Sequence, residues 1–462
     1  MLSYIELINF KSFNQIKLDL RGPHGIPKKL AFIYGENGSG KSNLMSSILF
    51  LSRSLDTLLN QEKIRSMNDS NFSDNFLEVK DDDKFQDFLK EFLSIQFSTL
   101  EPIIREYKSL QNSKPMSIEF GYYLNNRTGT YRMDFDSERI IYEELKYQLE
   151  ERSGTYFRIM EDDVYLSPTI FNGNDYKNEL ITNIEKFWGK HTFVSILINE
   201  LVEKNSKYIK KRIHKNLRRV LNWLNSLSVL CKFNNSQEAK VALRYKFLRT
   251  LDKGVISNSN NKELKAFEYA LNTFFTQLYS DVKGVYYKIS KSEDNYEYEL
   301  IFKKQIYNKI VEVPFSLESS GTHQLLEIFP FILSAVMGES VFVDEIDSGI
   351  HDLLMCNIIE FLDDSIKGQF IATTHNTLLM RDLPKENVFI IQSDANGNKD
   401  IECINNYAFR TQKTNNIQNK YLDGDYEGIP YIGYLDFEEI VDEIKEKLSI
   451  EREEKQEDDI LL

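Results

Sequence analysis

Three cysteines in 462 residues, Cys231, Cys356 and Cys403, are too few and too far apart for a disulfide framework. With no CxxC pair or Cys/His cluster they offer no structural metal site, and they read as thiols of a reducing compartment. No apolar run comes near the ~18 residues that a membrane-spanning helix needs, and the opening MLSYIELINF lacks the basic-then-apolar order of a secretory leader. The expectation is a cytoplasmic protein with no membrane partner. Basic residues are in the minority, 57 Lys and Arg against 71 Asp and Glu, for a formal charge of −14. That excludes a surface coated for phosphate binding and leaves room for a local basic groove. Internal repeats and low-complexity blocks are absent too, apart from an acidic tail over Asp436 to Asp459. What remains is an ordinary globular balance, 41% hydrophobic and 28% charged, with length for roughly two to four domains.

Hydrophobic periodicity gives the organisation. In residues 1–20, Tyr4, Ile8 and Phe10 share one face of a first strand with Ile5 and Leu7 on the other, and Ile16, Leu18 and Leu20 alternate in a second, which predicts a hairpin. Lys29 to Tyr34 is a short apolar strand that runs into a Gly-rich loop and then a helix over Asn43 to Leu51. A polar insertion follows at about 54–114, with one helix expected at Lys84 to Leu93, and then three strands at Ser117 to Leu124, Thr130 to Asp134 and Ile140 to Lys146. Long helices are expected over Tyr176 to Lys186 and Ile196 to Leu227, with Ile209, Ile213, Leu217, Val220 and Leu224 on one face. A helix at 262–281 and strands Val285 to Ser290 and Tyr296 to Phe302 return the chain to a sheet. The fold class is α/β, divided as an N-terminal lobe (1–170), a helical insertion (171–283), a C-terminal lobe (284–395) and a short α/β extension with the acidic tail (396–462).

Four short segments carry chemistry. Gly35-Glu36-Asn37-Gly38-Ser39-Gly40-Lys41-Ser42 matches GxxxxGK[ST] between an apolar strand and a helix. In such a loop backbone N–H groups bind phosphate oxygens, Lys41 reaches the outer phosphates and the Ser42 hydroxyl takes a place on Mg²⁺; a merely structural loop is the alternative. Ser340 to Val343 reads as a buried strand entering Asp344-Glu345, where Asp344 would hold Mg²⁺ and Glu345 would activate water, although acids are common at strand ends. Gln369 to Thr374 is another apolar strand, ending at His375, placed to touch a γ-phosphate. Finally, Leu317-Glu318-Ser319-Ser320-Gly321-Thr322 opens an apolar helix at Leu325 to Val336, either an ordinary cap or a second anion site that a neighbouring subunit's phosphate loop could share. Lys204 to Arg219 holds eight Lys or Arg and no acid, either a groove for DNA, RNA or an acidic partner, where nucleic acid or a phage trigger could bind, or a solvated helix face.

The order of these motifs resembles the ABC-type ATPase heads of the RecF and structural-maintenance-of-chromosomes group. IELINFKSF is similar to that group's first strands, and LESSGT to its LSGGE signature, with Ser319 at the signature Ser and Gly321 at its second Gly. Ser320 and Thr322 depart from the usual residues, which implies slow turnover, and in DEIDSGIH the His351 stands where chromosome proteins have Asp. With LRTLDKGV at 248–255 and NKYLDGDYEGIP at 419–430, the chain is similar to AAA-family ATPases of abortive-infection and related phage-defence operons, RloA-like proteins included. The resemblance implies ATP and Mg²⁺ as cofactors, catalytic Glu345 and His375, and nucleotide binding by Asn37, Gly38, Ser39, Gly40, Lys41, Ser42, Ser319, Ser320 and Gly321. The metal would sit on Ser42 and Asp344. It also implies a homodimer or larger homo-oligomer closed through shared ATP, controlling a nuclease or toxin encoded in trans, of Toprim type in some relatives. The other expectation is a DNA repair or chromosome-organising ATPase that binds DNA directly. For it the insertion is short: two helices of about 30 residues reach only about 45 Å.

Overall fold

The structure, a computed structural model, describes residues 1–69, 99–110, 112–149, 152–204, 206–233, 236–241, 250–257, 261–292, 295–407, 417–429 and 435–459. The helix expected at Lys84 to Leu93 lies outside these residues. The chain opens with the hairpin β1 (Leu2–Phe10) and β2 (Phe13–Asp19), then enters β3 (Leu30–Tyr34) and, after the Gly-rich loop, α1 (Lys41–Asp69). After α2 (Leu100–Tyr107) come β4 (Met116–Leu124), β5 (Arg127–Phe135), β6 (Ile140–Leu149), β7 (Arg152–Met160) and β8 (Asp163–Leu166). These strands join the hairpin in a seven-stranded antiparallel sheet of order β2-β1-β4-β5-β6-β7-β8. The register of β1 puts Ile5 and Leu7 in the core, and the expected alternation fails at its end. Asn9 takes a left-handed φ of 53°, which reverses the pleat and buries Phe10 as well.

Four helices follow: α3 (Asn174–Phe187), α4 (Phe193–Glu203), α5 (Ser206–Arg212) and α6 (Lys215–Asn225). The single helix expected over Ile196 to Leu227 is therefore three pieces. Ile209, Ile213, Leu217, Val220 and Leu224 are all buried as the periodicity requires, but Ile213 and His214 leave the helix, and the His214 imidazole caps α6 by accepting from Asn216 N–H at 3.2 Å. No long antiparallel arm forms among the described residues. The chain continues through β9 (Ser228–Phe233), β10 (Ser236–Lys240), β11 (Lys253–Ser257), α7 (Asn261–Leu278), β12 (Val282–Ser292), β13 (Asn295–Ile306) and β14 (Lys309–Pro314). Strands β11 to β14 make a small antiparallel sheet against α7. Next come α8 (Ser320–Val336), β15 (Ser340–Val343), α9 (Asp352–Ser365), β16 (Gln369–Thr373), α10 (Thr377–Asp382), β17 (Val388–Ser393), β18 (Lys399–Cys403) and α11 (Ile417–Leu422).

The second large sheet has the order β10-β9-β15-β16-β3-β17-β18, parallel through its five middle strands with antiparallel edges. Its middle strands are continuous apolar runs, as strands covered on both faces must be. Helix α1 shares one core with both large sheets: Leu44, Ile48, Leu51 and Leu55 are fully buried in the cluster that holds Phe135, Ile196 and Phe342. The sequence pattern stopped this helix at Leu51 because serines interrupt the apolar face. Buried Ser47 and Ser54 hide their hydroxyls by donating to Leu44 O and Leu51 O, each at 2.7 Å, and the helix runs on to Asp69.

Between the antiparallel sheet and α4 lies a fully buried carboxylate, Glu143 of β6. It accepts from Phe193 N–H (2.6 Å) and Val194 N–H (3.1 Å) in the first turn of α4, and from Tyr131 O–H (2.9 Å) and Trp188 Nε1–H (3.0 Å). Burial pushes its carboxyl up to about 7, against these four donors.

The chain divides into two compact units, Met1–Gly428 and Ile429–Leu462. Strand β18 pairs with β17, and α11 packs on α10, so both belong to the first unit and not to the extension expected from residue 396. The second unit holds α12 (Phe437–Asp459), on which Phe437, Val441, Ile444 and Leu448 are exposed. Among the described residues no helix is long and apolar enough to cross a membrane.

Candidate functional site

The parallel sheet brings the ends of β3, β15 and β16 side by side, so three of the four segments meet. β3 delivers the phosphate-type loop at the N-terminus of α1. Gly40 takes φ 106°, and a Cβ there would lie 2.6 Å from the Phe13 ring, so the β1–β2 turn sits directly on the loop. Lys41 is buried, with Nζ donating to Gly35 O at 2.8 Å and Glu36 O at 3.0 Å. Burial lowers its ammonium below the ordinary value, opposed by Asp344, Glu345, Asp347 and Glu36. Carboxylates therefore outnumber the ammonium around the loop, and a polyphosphate would need a divalent cation to accompany it.

Asp344 and Glu345 follow β15 as expected. Asp344 is fully buried, and burial raises its carboxyl, opposed first by the Thr373 hydroxyl bonded to it and then by the nearby Ser42 hydroxyl. Its Oδ1 accepts from Thr373 Oγ1 at 2.6 Å, whereas Oδ2 is buried without a partner, as is the Ser39 hydroxyl within the loop. Two orphaned buried oxygens beside a lysine fit a ligand with its own cation and donors. Ser42 and Asp344 suit magnesium, which keeps water and phosphate oxygens around a few hard protein ligands. Among the described residues no group of three or more His, Cys, Asp or Glu gathers to hold a metal by itself.

His375 stands exposed at the rim, and its imidazole is held below the usual value by desolvation first and by Lys41 second, which keeps it neutral at pH 7. Its backbone N–H donates to Asp347 Oδ2 at 3.2 Å. Sequence reasoning did not single out Asp347 or Thr373, and it also passed over Lys399. The Lys399 ammonium, on β18, donates to Gly38 O at 2.6 Å and Ser12 Oγ at 3.0 Å, clasping the loop from outside.

The fourth segment lies elsewhere. Ser319 and Ser320 are exposed, and Ser319 Oγ caps α8 by accepting from Thr322 N–H at 3.2 Å. A Cβ on Gly321 would lie 2.6 Å from Gly349 O, so the segment leans on the turn after the two acids. Among the described residues, no hydrogen bond or ion pair ties Ser319, Ser320 or Gly321 to the phosphate-type loop of the same chain. Asn37 and Gly38 face solvent at the open side of that loop. His351, noted for departing from the chromosome-protein pattern, caps α9 by accepting from Leu353 N–H at 3.3 Å.

Residues 30–381 match the family described as "AAA domain, putative AbiEii toxin, Type IV TA system". A 50-residue stretch is 52% identical to the chromosome partition protein Smc of Methanocaldococcus jannaschii, taking in 11% of this chain and only 4% of that protein's length. Solved structures similar to the chain include an Smc head bound to the C-terminal winged-helix domain of ScpA (TM-score 0.41, 15% identity, 87% of this chain and 97% of that one). Another is the SMC head domain from Thermotoga maritima (TM-score 0.35, 15% identity, 87% and 98%). With the family match spanning most of its length, on a mixed α/β architecture, the chain belongs to this AbiEii-type AAA-domain family.

Proposed function

We propose that the protein binds and slowly hydrolyses ATP, closes it between two copies of itself, and uses that closure to regulate a nuclease or toxin encoded in trans, in an abortive-infection type of defence. The observation that carries the reading is the meeting of Lys41, Ser42, Asp344, Glu345 and His375 at the ends of adjacent parallel strands, with Asp344 Oδ2 and Ser39 Oγ buried and unpartnered. Lys41 and the loop N–H groups bind the phosphate chain; Glu345 takes the proton of the attacking water, and His375 steadies the terminal phosphate. Magnesium, when bound through Ser42 and Asp344, neutralises charge on the outer phosphates. The Ser319–Gly321 cap, with both serines exposed, supplies the second anion surface to a partner copy. The family's association with the AbiEii toxin and type IV toxin–antitoxin systems supports the defence context.

The test is ATP turnover and mass by light scattering for wild type and Glu345→Gln, with co-purification from the native operon. Turnover in wild type, an ATP-dependent dimer in the variant and a neighbour-encoded protein in the complex are expected. No turnover with no nucleotide-dependent association would overturn the reading.

A second reading, direct nucleic-acid binding, is favoured by one observation: Lys207, Lys210, Lys211, Lys215 and Arg219 are all exposed on α5 and α6.

A further inference from the structure

One side chain from a neighbouring strand grips both acids of the site. Thr373 ends β16 fully buried, level with Ile33 of β3 one residue before that strand ends, and close to the start of the phosphate-type loop. Its hydroxyl donates to Asp344 Oδ1 at 2.6 Å and accepts the Glu345 N–H at 2.7 Å, and its carbonyl accepts the Ile346 N–H at 3.1 Å. Three consecutive residues of the acidic turn thus hang on a single residue.

The direction of these bonds matters. A hydroxyl has one proton to give. With it committed to Oδ1, the Asp344 carboxylate cannot rotate without breaking the bond, and Oδ2 stays as the buried oxygen that nothing else satisfies. Glu345 has φ 48°, in the left-handed region that a residue with a Cβ adopts only when surrounding contacts hold it there. The Thr373 hydroxyl is such a contact. A β-branched residue in a buried strand needs no functional reason, but valine would meet that need equally well and could make neither bond.

We infer that Thr373 is a positioning residue, fixing Asp344 with Oδ2 toward the metal and Glu345 in its strained backbone so that its carboxylate meets the attacking water. The inference rests on the reading of the site as a magnesium–ATP site. Thr373→Val keeps shape and strand preference and removes the hydroxyl; Thr373→Ser restores the hydroxyl. Each variant is assayed for kcat, KM for ATP, and ATP affinity by calorimetry with and without Mg²⁺. A thermal melt accompanies each variant.

For Thr373→Val, kcat and the Mg²⁺-dependent gain in ATP affinity should each fall about 10- to 100-fold, as when a partner that orients a metal ligand is lost. Metal-free ATP affinity should stay within about threefold, and Thr373→Ser should recover most of both losses. A valine variant that keeps the wild-type Mg²⁺ gain overturns the inference, and so does loss of metal-free binding in parallel, which would signal mere misfolding of the turn. The metal readout does not need turnover. A wild type that binds Mg²⁺–ATP and never hydrolyses it defeats the proposed reaction while the Mg²⁺ gain still judges Thr373.

Discussion

Glu143 offers a prediction whose size can be worked from the structure. The fully buried carboxyl is pushed from 4.5 up to about 7, so the folded protein holds this proton more tightly than the unfolded chain does. The stability it contributes is fully present below about pH 4.5 and is lost as pH rises through about 7. The difference of 7 − 4.5 units corresponds to about 3 kcal/mol over that window. Glu143→Gln cannot ionise and lacks this slope. Its amide turns donors toward a pocket already built of donors, the N–H groups of Phe193, Val194 and Trp188, at a pH-independent cost of about 1–3 kcal/mol. Below pH 4.5 the variant should therefore melt lower than wild type, and by pH 8 the two should be nearly level. Paired melts followed by circular dichroism between pH 4.5 and 8 measure the gap. Parallel curves would refute the argument by showing that the four donors balance burial, and a gap that widens as pH rises would refute it by showing that they outweigh burial and hold the carboxylate ionised.

Other outcomes bear on the candidate site and its surroundings. Lys41→Ala should weaken ATP binding about 10- to 100-fold, as a lost charged hydrogen-bond donor does, read by titration with a fluorescent analogue. Glu345→Gln should lower turnover about 10²- to 10⁴-fold and hold an ATP-bound dimer; a monomer at saturating ATP would sink the shared-site model. Gly321→Ala puts a methyl 2.6 Å from Gly349 O, so it should cost about 1–3 kcal/mol and impair ATP-driven association while leaving ATP binding to the monomer intact, checked by sedimentation and calorimetry. Reversing Lys210, Lys211, Arg218 and Arg219 to Glu should abolish salt-dependent nucleic-acid binding, measured by fluorescence polarisation across a salt series; unchanged binding would remove the second reading.

The sequence made legible whatever is local. A strand, a Gly-rich loop and a helix announce Lys41 and Ser42, and two apolar strands end visibly in Asp344-Glu345 and His375. Thr373, Asp347 and Lys399 were invisible for a common reason: each acts across a strand boundary, and their roles exist only once β16 lies between β15 and β3 and β18 closes the sheet edge. Periodicity also could not see the breaks between α4, α5 and α6, because the buried face continues in phase through Ile209, Ile213 and Leu217. β9 was missed because Ser228–Phe233 follows a helical pattern after only two residues and pairs with β15 from far along the chain.

The place of β3 in its sheet governs how the protein can be made. Both of its neighbours, β16 and β17, are encoded near the other end of the chain. During synthesis this apolar strand waits with two bare edges until residues 369–393 emerge, a long-range closure that folds slowly and leaves a template for wrong pairing meanwhile. An N-terminal fragment ending before residue 369 carries the whole phosphate-type loop without the strands that flank its root, whereas two co-expressed halves split in the 70–98 segment would each contribute strands to a common sheet.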